Sequence, residues 1–135
     1  MAGIYLHIPF CKQRCIYCDF FSTLKHERIP EYVHALCQEI ERRKDYLSNE
    51  PVETVYLGGG TPSLLKEDDF QKLFDTIFRT FSLAGCPEIT MEANPDDLTP
   101  EYIALLRRLP FNRISMGIQT FNDAILKRLN RRHTA

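Results

Sequence analysis

The 135-residue chain lacks most of the features that announce a class of function. It has no excess of one charge: 17 Lys and Arg stand against 18 Asp and Glu, a net charge of −1, so there is no basic footprint for nucleic acid. It has no long apolar run, and IYLHIPF (residues 4–10) is far too short to cross a bilayer. The N-terminus has neither the basic nor the apolar region of a secretory signal, which points to the cytoplasm. No internal repeat or low-complexity linker divides the chain, and its length suits one domain. Five cysteines, three of them clustered, are not the even and dispersed framework of a secreted mini-protein, so thiols are expected rather than disulfides.

What is present is a regular alternation. Apolar, β-rich runs occur at residues 4–10, 54–59, 88–93 and 113–119, and their composition predicts parallel strands buried on both faces. Helical spacing fills the intervals. From Pro30 it places Val33, Leu36, Cys37, Ile40 and Leu47 on one face, and from Glu67 it places Phe70, Leu73, Phe74, Ile77, Phe78 and Phe81. A third helix starts at Thr99-Pro100-Glu101 and carries Ile103, Leu106 and Leu109; a fourth opens at Asn122-Asp123 and carries Ile125, Leu126 and Leu129. Strand and helix alternate four times. That order predicts an α/β protein with right-handed parallel crossovers, either a doubly wound sheet or part of a barrel. Four units are too few for a closed barrel of eight, and an unclosed sheet leaves a strand edge open to aggregation, so the isolated chain is expected to be poorly soluble or inactive.

In parallel α/β folds ligands bind beyond the carboxyl ends of the strands. Every chemically unusual segment falls there. The first strand leads into CKQRCIYCDFF, the second into Gly58-Gly59-Gly60-Thr61-Pro62, the third into Glu92-Ala93-Asn94-Pro95 and the fourth into Gln119-Thr120-Phe121. The glycine run is neither G-x-x-x-x-G-K-[ST] nor G-x-G-x-x-G, so the standard phosphate-loop explanations fail. It does leave main-chain polar groups uncovered for a ligand. Glu92 and Gln119 can hydrogen-bond a ribose diol or an ammonium group, and Arg131 and Arg132 can clamp a carboxylate.

Cys11, Cys15 and Cys18 form C-x3-C-x2-C. Zinc would need a fourth ligand, from Asp19, His26 or a distant cysteine, and no second Cys or His pair has the expected spacing. A four-iron, four-sulfur (4Fe-4S) cluster is the better candidate, because three thiolates leave one iron free to bind something else. Cys37, in a helix, and Cys86, in a loop, read as small buried apolar residues.

The cysteine motif, followed by GGGTP and a strand-end glutamate, resembles the radical S-adenosylmethionine (radical SAM) superfamily. The resemblance implies a 4Fe-4S cluster whose open iron is chelated by the methionine moiety of S-adenosylmethionine. An electron from the cluster then cleaves the sulfonium to give a 5′-deoxyadenosyl radical. The fold implied is a partial (β/α)6 barrel, of which residues 1–135 supply the N-terminal four β/α units, an incomplete radical SAM core domain. More narrowly, Y-x-H-I-P-F-C-x3-C-x-Y-C-D-F, with GGGTP, EANP, GIQTF and LNRR, is similar to the family of oxygen-independent coproporphyrinogen III oxidases and related heme chaperones. Position by position, the resemblance makes Cys11, Cys15 and Cys18 cluster ligands, sets Tyr5 and Tyr17 beside S-adenosylmethionine, and lines its binding sites with Gly59, Gly60, Thr61, Glu92, Gln119 and Arg131.

The oxidases carry a further cysteine two residues after the third cluster ligand. This chain has Phe20, as the chaperone branch does. The resemblance therefore implies a protein that binds heme and delivers it to an accepting protein, with an electron donor as a further partner. The alternative is radical decarboxylation of coproporphyrinogen III in porphyrin biosynthesis, and a simple electron carrier is a third class. His7, His26, His34 and His133 are candidate heme ligands, and none of them stands out.

Overall fold

The apolar runs pair as a single parallel sheet. In a computed structural model that describes residues 2–135, the strands are β1 (Ala2–Ile8), β2 (Val52–Gly59), β3 (Leu83–Ala93) and β4 (Arg113–Met116), in spatial order β1-β2-β3-β4. Each is followed by a helix: α1 (Ile29–Arg42), α2 (Glu67–Thr80), α3 (Pro100–Leu106) and α4 (Asp123–Arg128). Every strand is added beside its predecessor, so every crossover advances in the same direction, and right-handed crossovers then lay the helices on one face. This is the winding of a barrel. A doubly wound sheet would reverse its strand order.

β1 and β2 are one-sided, contrary to the expectation of burial on both faces, whereas β3 meets it at its centre, where Thr90, in register with Tyr56 on the helix-free side, is buried between Ile89 and Met91. In β1, Leu6 and Ile8 are buried while Gly3 and Tyr5 are exposed; in β2, Val55 and Leu57 are buried while Thr54 is exposed. The physical reason is the mixed nature of tyrosine and threonine. They raise β propensity as aliphatic residues do, yet Tyr5, Tyr56 and Thr54 stand on the helix-free face. The core lies on the other side, where strand residues meet Val33 and Ile40 of α1 and Phe70, Leu73, Phe74 and Ile77 of α2. Phe111, after α3, closes this layer with edge-on contacts to Phe70 (5.3 Å between ring centres) and Phe74 (5.1 Å).

Local chemistry sets the ends of the helices. Asp69 accepts a hydrogen bond from the Lys66 amide and starts α2, Thr99 caps α3 through the Tyr102 amide, and Asn122 caps α4 through the Ile125 amide. Several boundaries differ from the sequence reading. β3 begins at Leu83, so Cys86 is an exposed strand residue and not a buried loop residue. β4 ends at Met116 and not at Gln119, whose φ of 68° is incompatible with a strand. Leu47 and Phe81 lie just outside their helices, although both still pack on the core, as does Cys37.

Candidate functional site

One cleft at the carboxyl rim collects ten of the eleven residues singled out from the sequence. Cys11, Cys15, Tyr17 and Cys18 line it from the first loop, Gly59, Gly60 and Thr61 from the second, Glu92 from β3, and Gln119 and Arg131 from the last segments. Phe20 lines it too. Tyr5 does not: it lies on the open face, stacked on Tyr56 at 6.1 Å and bonded to His7 through its hydroxyl (3.1 Å). It connects to the cleft through His7, which packs against Gly59, and through Tyr56, which donates to Glu92 Oε1 at 2.7 Å.

The cysteine loop is held at both ends. Where it leaves β1, the Cys11 amide donates to Thr23 O (3.0 Å) and the Thr23 amide to Pro9 O (2.7 Å), which closes the loop on itself. His7 Nε2 lies 3.0 Å from Phe21 O. A carbonyl can only accept, so Nε2 carries the proton and Nδ1 receives the Tyr5 hydroxyl. The thiols become steadily more open along the loop, with Cys11 buried, Cys15 half-buried and Cys18 exposed. Burial pushes the Cys11 thiol up, against hydrogen bonds from Thr61 and Ser22, and a bound cation would reverse that preference by favouring the thiolate.

A single metal ion needs its ligands to meet at one point. Among the described residues no three His, Cys, Asp or Glu side chains do so. His26, a candidate fourth zinc ligand, bonds Cys11 O at 2.7 Å instead. A 4Fe-4S cluster distributes its thiolates over separate irons, so three spaced thiols on one wall of a cleft fit it better.

The glycine run has a packing reason. A Cβ on Gly60 would lie 2.7 Å from Phe10 O and 2.8 Å from Ile8 O, and Gly59 has a φ of 108° with the His7 ring 2.5 Å from where its Cβ would be. The second loop therefore rests directly on the base of the cysteine loop. Its amides are not free for a ligand, as the sequence reading had supposed: Gly59 N donates to Glu92 Oε2 (3.0 Å), Gly60 N to Ile8 O (2.8 Å) and Thr61 N to Phe10 O (2.7 Å). Glu92 is thus oriented by Tyr56 and Gly59 together.

Arg131 and Arg132, grouped in sequence as a carboxylate clamp, separate in space. Arg131 Nη1 reaches Cys15 Sγ (3.4 Å) and its Nη2 reaches Asn94 Oδ1 (2.7 Å). Arg132 turns away to Asp96 (2.7 Å) and Asp97 (3.2 Å), so it is a structural residue. Asp97 is the residue that sequence reasoning missed. Almost fully buried, it accepts from Lys12 Nζ (2.7 Å), Ser63 Oγ (2.8 Å) and Arg132, joining three loops of the rim. Burial alone would raise its pKa, yet the hydrogen bonds from Lys12 and Ser63 and the charge of Arg132 outweigh burial and hold it below the usual carboxylate range. The only signal in the sequence is an acidic pair before Thr99-Pro100, which reads as the start of a helix.

The candidate heme ligands are dispersed. His7 and His26 brace the cysteine loop, His34 lies on α1 beside Gln38 (3.1 Å), and His133 bonds Ile118 O (3.0 Å).

A barrel-wound parallel sheet with three thiols of C-x3-C-x2-C spacing in a cleft at its carboxyl rim defines a class. The chain belongs to the radical SAM superfamily, whose family model matches residues 5–135. Membership implies a 4Fe-4S cluster and S-adenosylmethionine in general terms. Among individual proteins, the chain is similar to the heme chaperone HemW of Lactococcus lactis, with 42% identity over 131 residues, 96% of this chain and 34% of the relative. It is also similar to HemW of Escherichia coli, at 41% over 133 residues, 97% of this chain and 35% of the relative. Among solved structures, it resembles coproporphyrinogen III oxidase (HemN) from Escherichia coli, with a TM-score of 0.88 and 31% identity over 98% of this chain and 31% of that one. The chain thus spans about a third of the length of the relatives it matches. Among the described residues, no helix is long and apolar enough to cross a membrane.

Proposed function

We propose that this chain is the cluster-binding part of a HemW-like heme chaperone of the cytoplasm, which binds heme and passes it to an accepting protein. The observation that carries this is the cleft. Three thiols of radical SAM spacing line it together with a strand-end glutamate, in a chain similar along almost its whole length to proteins named heme chaperone HemW. Phe20, where the resemblance gives the oxidases a further cysteine, weighs against decarboxylation chemistry.

Cys11, Cys15 and Cys18 would hold the 4Fe-4S cluster. When bound, the cluster supplies an open iron and an electron, and everything else here is positioning. Glu92, fixed by Tyr56 and Gly59, presents a carboxylate to the amino or ribose groups of S-adenosylmethionine. Arg131, fixed by Asn94 and Gly117 and lying beside Cys15, adds a guanidinium to the same cleft. Tyr17, Gly60, Thr61 and Gln119 complete the walls, and Tyr5 acts one step back through Tyr56. The protein would also meet an electron donor. The likeness to coproporphyrinogen III oxidase favours a second reading, radical decarboxylation of coproporphyrinogen III.

Anaerobic reconstitution of the full-length protein is expected to give about four irons and four sulfides per chain, lost when the three cysteines become alanine. The electron paramagnetic resonance spectrum of the reduced cluster should shift on addition of S-adenosylmethionine. Stoichiometric zinc or a two-iron centre would overturn the cluster assignment. Heme uptake without turnover of coproporphyrinogen III distinguishes chaperone from oxidase, and turnover with cleavage of S-adenosylmethionine would reverse the preference.

A further inference from the structure

The segment after α4 meets the cysteine loop residue by residue. Leu129 O accepts from the Ile16 amide (3.3 Å). Asn130 takes the Gln13 side-chain amide on both its backbone oxygen (2.8 Å) and its Oδ1 (2.6 Å), and its own Nδ2 donates to Arg14 O (2.7 Å). Arg131 touches Cys15 Sγ, and Arg132 reaches Lys12 through the carboxylate of Asp97 that both share. Four successive residues therefore engage Lys12 to Ile16, the stretch that carries the middle thiol. A regular helix could not do this, because neighbouring residues point to different sides. The chain manages it because Asn130 adopts a left-handed conformation, with a φ of 58°, which turns the strand of residues after α4 back toward the loop. Within α4, Leu126 is fully buried, and its carbonyl accepts from the Arg131 amide (2.9 Å), which ties the latch to the helix.

We infer that Leu129–Arg132 is a latch for the cysteine loop and that Asn130 is its positioning residue: its backbone turn and its side-chain amide together set where Cys15 stands relative to Cys11 and Cys18. Asn130 touches neither a thiol nor the cleft. It acts through Gln13 and Arg14 on either side of the loop and through the direction it gives Arg131. The inference rests on the cluster assignment for its consequence but not for its geometry, and the two can fail separately.

Hydrogen exchange in the cluster-free full-length protein tests the latch alone. Asn130→Gly keeps the left-handed backbone and removes the amide, and it is expected to accelerate exchange within residues 12–18 by about tenfold at Ile16 and Cys18, whose amides donate to Leu129 O and Cys15 O, while β1 to β3 stay protected as in the wild type. Gln13→Ala, which removes one partner and leaves Asn130 intact, should give a smaller acceleration confined to the same segment. After reconstitution, loss of iron from Asn130→Gly to a chelator should be faster by a similar factor. Exchange over residues 12–18 at the wild-type rate, or equal acceleration throughout the sheet, overturns the latch. A wild-type protein that takes up no cluster overturns the cluster assignment and leaves the exchange result to decide the latch.

Discussion

Asp97 shows how much of this site depends on a residue that does not line it. Its carboxylate gathers Lys12, Ser63 and Arg132, which come from three loops, and removing it would take an acceptor from each and leave Arg132 only its pair with Asp96. Asp97→Ala is expected to lower stability by about 2 kcal/mol at neutral pH, measured by urea unfolding, the scale for hydrogen bonds to a buried charge. The pH dependence has a definite sign. A carboxyl group whose folded pKa is depressed contributes stability above its unfolded pKa and loses it as pH falls through the folded value. The stability gap between wild type and Asp97→Ala should therefore be full near neutrality and shrink below about pH 4. A gap that stays constant into acid would show that the charge of Asp97 contributes nothing. Asp97 and Asn130 were invisible in the sequence because their partners lie far away along the chain, 85 residues for Lys12 and 117 for Gln13. Cys11, Cys15, Cys18 and Glu92, which line one cleft, were legible as candidates because spacing and strand-end position single them out without any knowledge of contacts.

At the scale of elements, α2 was the most readable part of the molecule. Its stripe of Phe70, Leu73, Phe74 and Ile77 is fully or almost fully buried, as the helical spacing predicts. Phe78 belongs to the same run yet is exposed, and it stacks on Phe74 at 5.6 Å. Phe70→Ala removes a ring in contact with Phe111 and is expected to cost about 3–5 kcal/mol, against less than about 1 kcal/mol for Phe78→Ala. Thermal unfolding of the two variants checks the contrast. The strands were harder to read. Periodicity located all four, but it could not show which face the helices would leave open, because that depends on the direction of every crossover and not on any one strand. The short β4 was overestimated for a local reason: the last bond to β3 is from the Gly117 amide to Ala93 O, and the left-handed Gln119 turns the chain away before the apolar run ends.

At the scale of the whole molecule, the sheet has a covered face and a bare one. Tyr5 is exposed on the bare face, Ile114 and Met116 of β4 are exposed although they are in register with Met91 and Ala93 of the covered face, and among the described strands β1 and β4 each pair on one side only. An open edge beside exposed apolar groups is a template for association. As an isolated 135-residue chain the protein is expected to elute from size exclusion ahead of a monomer. A monomeric, cooperatively melting product would show that the bare face is tolerated in water.

The latch also has a consequence in time. Cys15 and Arg131 are separated by 116 residues, so during synthesis the thiols emerge long before the segment that fixes them. At typical elongation rates that interval is on the order of ten seconds. Throughout it Cys11, Cys15 and Cys18 lie on an unfastened loop, reactive toward oxidants and stray metals. Cluster insertion on the ribosome would meet a site without its final shape, and the last residues of this chain are what make the first ones ready.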